Sequence, residues 1–200
     1  MSKKPDTVWT PGHFIGGHPA IDLTNTVFTR SMPDDDNDLL NSPRDVGNGF
    51  RFAELATRAQ ANAISGISDK AFLGSVRKLR EASFSVLDAF AAGKPPAPNA
   101  LGFLFEQAAK GFSTHRLRLR ETHTASEIAR FDDPKAVVAF LAAMAVEASI
   151  VLPRQRLSAC PRCGWLFLDT SRGGRRRWCS MQTCGNREKA SRHRGRTDFA

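Results

Sequence analysis

Apolar residues recur every three or four positions through much of the chain before residue 153, a period that predicts amphipathic helices. The strongest pattern follows Ser68, a suitable N-cap residue, and a second one follows Asn99. A shorter pattern covers residues 52–59. The members of the strongest pattern are Phe72, Val76, Leu79, Val86, Leu87 and Phe90. The N-terminal part of the chain is therefore predicted to be mainly helical.

A further helix is predicted from Pro134 to Leu152, where nearly every position is apolar. Asp133 supplies an acidic N-cap, Pro134 suits the first helical position, and Pro153 ends the helix. A helix that is apolar on all sides is typical of the centre of a domain. No apolar run approaches the length of about 20 residues that a membrane-spanning helix needs.

One segment follows the period of a strand instead. Basic and apolar residues alternate in HRLRLRETHT, from His115 to Thr124, with Leu117 and Leu119 on one face. This alternation predicts a half-buried strand in a small antiparallel hairpin. Its arginine face either binds an anion or, as is more common in sheets, faces solvent.

Charge divides the chain into two parts. Residues 154–200 hold 12 of the 29 Lys and Arg residues but only 3 of the 20 Asp and Glu residues, so the basic and acidic residues of 1–153 balance at 17 each. We predict a neutral domain over 1–153 and a basic domain over 154–200 that faces a polyanion, unless the arginines only solvate a tail. The N-terminus lacks the apolar region of a secretory signal, so a cytoplasmic location is expected, at the nucleoid if the protein binds DNA.

Four cysteines in the basic part have the spacing of a zinc site. Cys160 and Cys163 form a C-x2-C pair, and Cys179 and Cys184 form a C-x4-C pair after a hairpin-sized insert. This pattern is typical of tetrahedral Zn²⁺ coordination. Because cysteine fills all four positions, one ion with a structural role is predicted. Dithiol chemistry is the weaker alternative, because Pro161 and the strand after it do not suit a redox C-x-x-C motif.

The insert predicts how the chain folds around the ion. Trp165–Thr170 is predicted as a strand, Ser171–Gly174 as a turn and Arg175–Cys179 as a returning strand. Asn186 is predicted to cap a helix over Arg187–Arg196. The predicted fold class is α+β: a mainly helical N-terminal domain with a small antiparallel hairpin, then a treble-clef-like zinc finger of β-hairpin and helix.

These residues carry a family resemblance. The stretch CGWLFLDTSRGGRRRWCSMQTCGNREKASRHR, from Cys163 to Arg194, resembles the CGNR zinc-finger family of bacterial proteins, named for the tetrapeptide that ends here at Arg187. Upstream, GGHPAIDLTNT (Gly16–Thr26) resembles the start of the ABATE domain that usually precedes this finger. The family is regarded as one of stress-induced transcription regulators. The resemblance implies that the finger binds DNA and that the N-terminal domain receives a signal.

The basic residues of the finger are its candidate nucleic-acid contacts. They are Arg172, Arg175, Arg176, Arg177, Arg187, Lys189, Arg192 and Arg194. Two or three of them suffice to balance four thiolates and one Zn²⁺, so most need another role. RNA binding and a protein-interaction module remain alternatives, although exposed aromatic residues for base stacking are scarce. Trp165, Phe167 and Trp178 are instead predicted to form the small core of the finger.

A second candidate site lies in the motif AIDLTNT. Asp22 and Asn25 share a face if this motif is helical, and His18 is nearby. The three residues are candidates for a pocket that binds a small effector, and the equal alternative is that they bond backbone groups inside the domain. The sequence contains no nucleophile–base set, phosphate loop or open metal site, so no enzymatic activity is predicted.

Overall fold

The computed structural model describes residues 5–30, 37–119 and 126–197. In this part of the chain helices alternate with two short antiparallel hairpins, in agreement with the predicted α+β class. The helices are α1 (Pro19–Thr24), α2 (Pro43–Phe52), α3 (Arg58–Ser65), α4 (Phe72–Ala91), α5 (Pro98–Ser113), α6 (Pro134–Val151) and α7 (Asn186–Thr197). The strands are β1 (Leu117–Leu119), β2 (Ser126–Ile128), β3 (Leu157–Ala159) and β4 (Leu166–Leu168).

Helix α6 lies at the centre of the protein, where it packs against α4 and α5. Its predicted start is confirmed: the Asp133 carboxylate accepts hydrogen bonds from the amides of Lys135 and Ala136, and Pro134 takes the first helical position. By length and composition alone α6 would pass as a membrane-crossing helix, so the expectation that no run is long enough was wrong. Most of its side chains are buried in the protein core, which accounts for its apolar composition on all sides.

Helices α5 and α6 approach closely at Gly111. A Cβ atom placed on Gly111 would lie 2.6 Å from the Cβ atom of Ala139 and 2.8 Å from a methyl group of Leu117. Only glycine fits here without a shift of the two helices. A Cβ atom placed on Gly102, earlier on α5, would meet no atom of a neighbouring element within 4 Å.

The apolar faces are better predicted than the ends of the helices. Every member of the pattern that follows Ser68 is buried in α4, but the helix begins later, and the Asp69 carboxylate accepts a hydrogen bond from an amide ahead of its first turn. Helix α5 begins at Pro98, so Asn99 lies in its first turn and does not cap it. Residues 52–59 mostly form the connection between α2 and α3. Local side chain–backbone bonds of this kind override the hydrophobic period.

The predicted strand after His115 is present as β1, which pairs with β2 in antiparallel register. Leu117 lies opposite Ile128, and both are buried. Leu119 is 67% exposed, so the prediction that it shares a buried face was wrong. Arg116 Nε donates to the Asp133 carboxylate at 2.9 Å, which links the hairpin to the start of α6. The rest of the predicted strand, residues 120–124, lies outside the described residues.

The hairpin of the finger forms in a different place from the predicted one. Strands β3 and β4 pair on either side of the first cysteine pair, with Leu157 opposite Leu168. Residues 175–179 form no strand. The Asp169 carboxylate accepts hydrogen bonds from the amides of Ser171 and Arg176, which closes residues 169–176 into a loop.

Helix α7 starts without an N-cap at Asn186. Residues Met181–Gly185 form a π-helical turn that runs directly into α7, so Asn186 already has helical dihedral angles of φ −68° and ψ −39°. The predicted helix is confirmed, but the capping role of Asn186 was wrong. A Cβ atom on Gly185 would lie 2.6 Å from the Met181 sulfur, so a larger residue there would displace the exposed Met181 side chain.

Candidate metal centre and nucleic-acid interface

The four cysteines converge on one site. Their sulfur atoms all lie within 4.8 Å of one another. The sulfurs of Cys163 and Cys179 are 3.5 Å apart, and those of Cys179 and Cys184 are 3.6 Å apart. A tetrahedron with Zn–S bonds of about 2.3 Å has sulfur–sulfur edges of about 3.8 Å, whereas a disulfide bond is about 2.05 Å long. The sulfur cage fits one structural zinc ion, and Cys160, Cys163, Cys179 and Cys184 are its ligands.

The protonation of these thiols also favours a cation. A hydrogen bond with Cys163 lowers the pKa of Cys160. The hydrogen bond with Cys160 raises the pKa of Cys163 to about 12 and raises that of Cys179 as well. Four thiolates this close together repel one another, and Zn²⁺ supplies the positive charge that stabilises them.

The first cysteine pair is held by the turn between β3 and β4. The Cys160 amide donates to the Trp165 carbonyl at 2.8 Å, and the Gly164 amide donates to the Cys160 carbonyl at 2.9 Å. The second pair spans the π-helical turn, where the Gly185 amide donates to the Ser180 carbonyl at 3.0 Å. Each cysteine pair is therefore held in a hydrogen-bonded turn of the backbone.

A small apolar cluster packs around the metal site. Trp165 and Phe167 are buried against the cysteines, and Trp178 packs on them with partial exposure. The predicted core of the finger is confirmed. Ile15, which precedes α1, belongs to the same cluster.

The β-hairpin of the finger is hydrogen-bonded to the N-terminal region. The side-chain amide of Asn25 donates to the Leu166 carbonyl and accepts from the Leu166 amide, both at 2.9 Å. The indole of Trp165 donates to the Val27 carbonyl at 2.7 Å. The Arg30 amide donates to the carbonyl of Cys163, a metal ligand, at 2.8 Å. Segment 25–30 therefore contacts both the strand and the metal turn.

The main hydrophobic core is continuous across this interface. Leu157 and Leu166 are buried in the same cluster as α4 and α6, and α4 packs against both β3 and β4. Sequence reasoning missed this contact. No local pattern indicates that residues 141 positions apart, such as Asn25 and Leu166, are hydrogen-bonded.

The candidate nucleic-acid residues take two kinds of position. In the loop before Cys179 and on α7, most of the side chains are exposed to solvent. The exposed residues are Arg172, Arg175, Arg177, Arg187, Lys189 and Arg194. The side chain of Arg192 lies outside the described part of the chain.

Arg176 differs from its neighbours because its guanidinium is bonded within the finger. It donates to the carbonyls of Trp178 and Cys179 and lies 4.5 Å over the Phe167 ring. These bonds hold the chain on its approach to a metal ligand. Arg176 therefore has a structural contact that the sequence did not indicate.

The three pocket candidates do not meet at one cavity. Asn25 is buried and bonded to β4, and His18 caps α1 through its Nδ1 atom, which accepts from the Ala20 amide. Asp22 accepts from the Gly16 amide at 2.8 Å and borders an apolar cavity of about 50 Å³. Burial raises the pKa of Asp22 to about 6 against the effect of that hydrogen bond. Burial also lowers the pKa of His18, which a nearby carboxylate partly offsets.

Comparison with known families gives two matches in N-to-C order. A model named ABATE and described as "Putative stress-induced transcription regulator" matches residues 17–153. A CGNR zinc finger model matches residues 156–197. These matches confirm the resemblance seen in the sequence, and both descriptions are regulatory or zinc-binding, not enzymatic. No curated protein matches the chain.

Proposed function

Because the chain belongs to the ABATE family and carries a CGNR zinc finger, we propose that it is a DNA-binding transcription regulator. In this proposal the finger contacts DNA and the N-terminal domain responds to a small ligand. The protein acts in the cytoplasm, at the nucleoid. The observation that carries the proposal is a set of exposed cations on two segments that one metal centre holds together.

Each of the two basic segments adjoins a metal ligand. The loop with Arg172, Arg175 and Arg177 leads into Cys179, and α7 begins two residues after Cys184. An isolated helix of this length is marginal in water. Helix α7 continues directly from the π-helical turn that holds Cys184, and this anchored start stabilises its helical form. Zinc therefore supports both the position and the order of the basic side chains.

Arginine suits this role because its planar guanidinium binds phosphate oxygens through two parallel hydrogen bonds. Contacts of this kind position a protein on the duplex, and only contacts to base edges specify sequence. If about five phosphates are neutralised, log K falls with log salt at a slope of about −4.5. Steep salt dependence is therefore part of the proposal.

A signal from the N-terminal domain has a direct route to the finger. Segment 25–30 follows α1 and bonds to Trp165, Leu166 and Cys163. A ligand that shifts α1 would move the backbone to which the metal turn is bonded. Such a shift couples the two functions only if the ligand binds the two conformations with different affinity.

The test measures binding of the zinc-loaded full-length protein to labelled random-sequence duplex DNA by fluorescence anisotropy. A double variant, Arg175→Glu with Arg177→Glu, should weaken binding at least about tenfold, because each change reverses a charge at a phosphate contact. Arg58→Glu on α3 is the matched control, since Arg58 is equally exposed but outside the finger. It should bind nearly as the parent does.

Recognition of a specific DNA sequence is tested by selecting the duplexes that the zinc-loaded protein binds from a random pool. The selection is repeated with the Cys184→Ser variant. Enrichment of a sequence motif by the parent but not by the variant supports zinc-dependent, sequence-specific DNA binding. If the double variant binds as tightly as the parent, or if affinity does not change with salt, the proposal fails. Motif enrichment that persists without Cys184 would also contradict it.

A further inference from the structure

A large groove lies between α4, α5 and the start of α6, and no residue of α1 lines it. Its volume is about 610 Å³, within the range of about 300–1,000 Å³ that is usual for small-molecule sites. The apolar cavity beside Asp22 is only about 50 Å³. By size, the groove is the better candidate for a ligand of metabolite dimensions.

The groove has an apolar floor and a polar rim. Phe72, Phe103 and Val138 line it together with small residues of α6. Lys78 from α4 and Lys135 from α6 lie on its rim. A ligand that fills it would bury apolar surface on the floor and present polar groups to the lysines.

The cations of the rim fall into two groups. Lys110 pairs with Glu106 at 2.7 Å, and Arg116 pairs with Asp133. Within the described ranges Lys78 and Lys135 have no carboxylate at salt-bridge distance. The Lys78 ammonium instead lies 4.9 Å over the Phe103 ring, directly above the floor. Lys78 and Lys135 therefore both line the groove without a direct ion pair, while Glu106 acts on Lys78 electrostatically and Asp69 contributes one carboxylate to the lining.

A third polar group is also available. The half-buried side chain of Gln107 lines the groove, and no hydrogen bond to it is present among residues 5–30, 37–119 and 126–197. Its amide can both donate and accept. An amide and two ammonium groups that line one groove with an aromatic floor suit a carboxylate attached to an apolar body.

We propose that this groove binds an amphipathic organic anion, with the apolar body against Phe72, Phe103 and Val138 and the carboxylate at Lys78 and Lys135. The site deepens the proposed function, because it gives the chemical class of the ligand that the N-terminal domain senses. The groove is also separate from the proposed DNA-binding residues, since no finger residue lines it. Helix α4, which forms one wall of the groove, also packs against β3 and β4 of the finger.

The test is isothermal titration calorimetry of the zinc-loaded full-length protein without DNA. Decanoate serves as the probe and 1-decanol as its uncharged counterpart of equal chain length. Decanoate should bind with one-to-one stoichiometry and at least about tenfold more tightly than decanol, because a hydrogen bond to a charged group contributes more than a neutral one. The double variant Lys78→Gln with Lys135→Gln should lose that tenfold advantage.

Two further variants identify the site. Lys94→Gln, an exposed lysine beyond the end of α4, should leave the affinity for decanoate unchanged. Gln107→Trp fills the groove and should abolish binding of decanoate and decanol alike. The proposal is overturned if decanoate shows no saturable binding, if it binds no better than decanol, or if the double lysine variant binds it as tightly as the parent. Because DNA is absent, none of these results depends on whether the finger binds DNA.

Discussion

Replacement of Asn25 by alanine should destabilise the whole chain, including the N-terminal helices, by about 2–4 kcal/mol. Asn25 is 1% exposed, and its amide satisfies both backbone groups of Leu166, which is itself fully buried. Alanine removes both hydrogen bonds and leaves a buried N–H and a buried C=O without partners. Each such group costs about 1–3 kcal/mol, and the two costs are not fully additive because they belong to one residue.

The assay is equilibrium unfolding in urea of the zinc-loaded protein, followed by two probes. Far-UV circular dichroism reports the helices, and tryptophan fluorescence is dominated by the finger, which holds two of the three tryptophans. Both transitions should shift together to lower urea with an unchanged slope. Asn62→Ala, at an exposed position of α3, is the control and should change stability by less than about 0.5 kcal/mol.

A shift of only the fluorescence transition would refute this reasoning, because the finger would then unfold on its own. A loss no larger than that of Asn62→Ala would refute it as well. In that case the two hydrogen bonds would be replaced by bonds to water, and the interface would not be closed to solvent.

Two other predictions concern the N-terminal domain. Because burial raises the pKa of Asp22 from 3.8 to about 6, the folded state binds a proton more tightly than the unfolded state. Stability should therefore fall by about 2–3 kcal/mol as the pH rises from about 4 to 6. Asp22→Asn keeps an acceptor for the Gly16 amide and should remove that loss of stability. If the urea midpoints of the variant at pH 4.5 and pH 7.5 differ as much as those of the parent, the prediction is contradicted. Gly111→Ala should destabilise by about 1–3 kcal/mol through the contact with Ala139, whereas Gly102→Ala on the same helix should stabilise by about 0.5–1 kcal/mol. Thermal unfolding of both alanine variants checks the sign, and equal effects would show that α5 and α6 separate freely.

Strong local signals made much of the fold predictable. The Asp133–Pro134 helix start, the buried face of α4 and the metal cluster all follow from residue types at fixed spacing. The apolar cluster of the finger follows from its three large aromatic residues near the cysteines. These features need no information about distant parts of the chain.

The features that sequence reasoning missed depend on contacts between distant residues or on competing local bonds. Residues 175–179 have the composition of a strand, but the Asp169 carboxylate closes the preceding loop and no partner strand is left for them. Arg176 belongs to a run of arginines, and only its bonds to the Trp178 and Cys179 carbonyls distinguish it from the others. Asn25 was noticed for its residue type, but its partner on β4 was not foreseeable.

The long sequence separation of Asn25 and Leu166 also bears on how the protein matures during synthesis. Leu166 is added 141 residues after Asn25, which corresponds to an interval of about 7–28 s at a ribosomal rate of about 5–20 residues per second. During this interval segment 25–30 lacks the partners that the finger provides, and the apolar side chains beneath β4 are uncovered. A part of the chain that is synthesised late therefore supplies the partners of an earlier part. Zinc supply at that moment should determine the yield of the entire protein, and zinc-starved cells should degrade the N-terminal helices along with the finger.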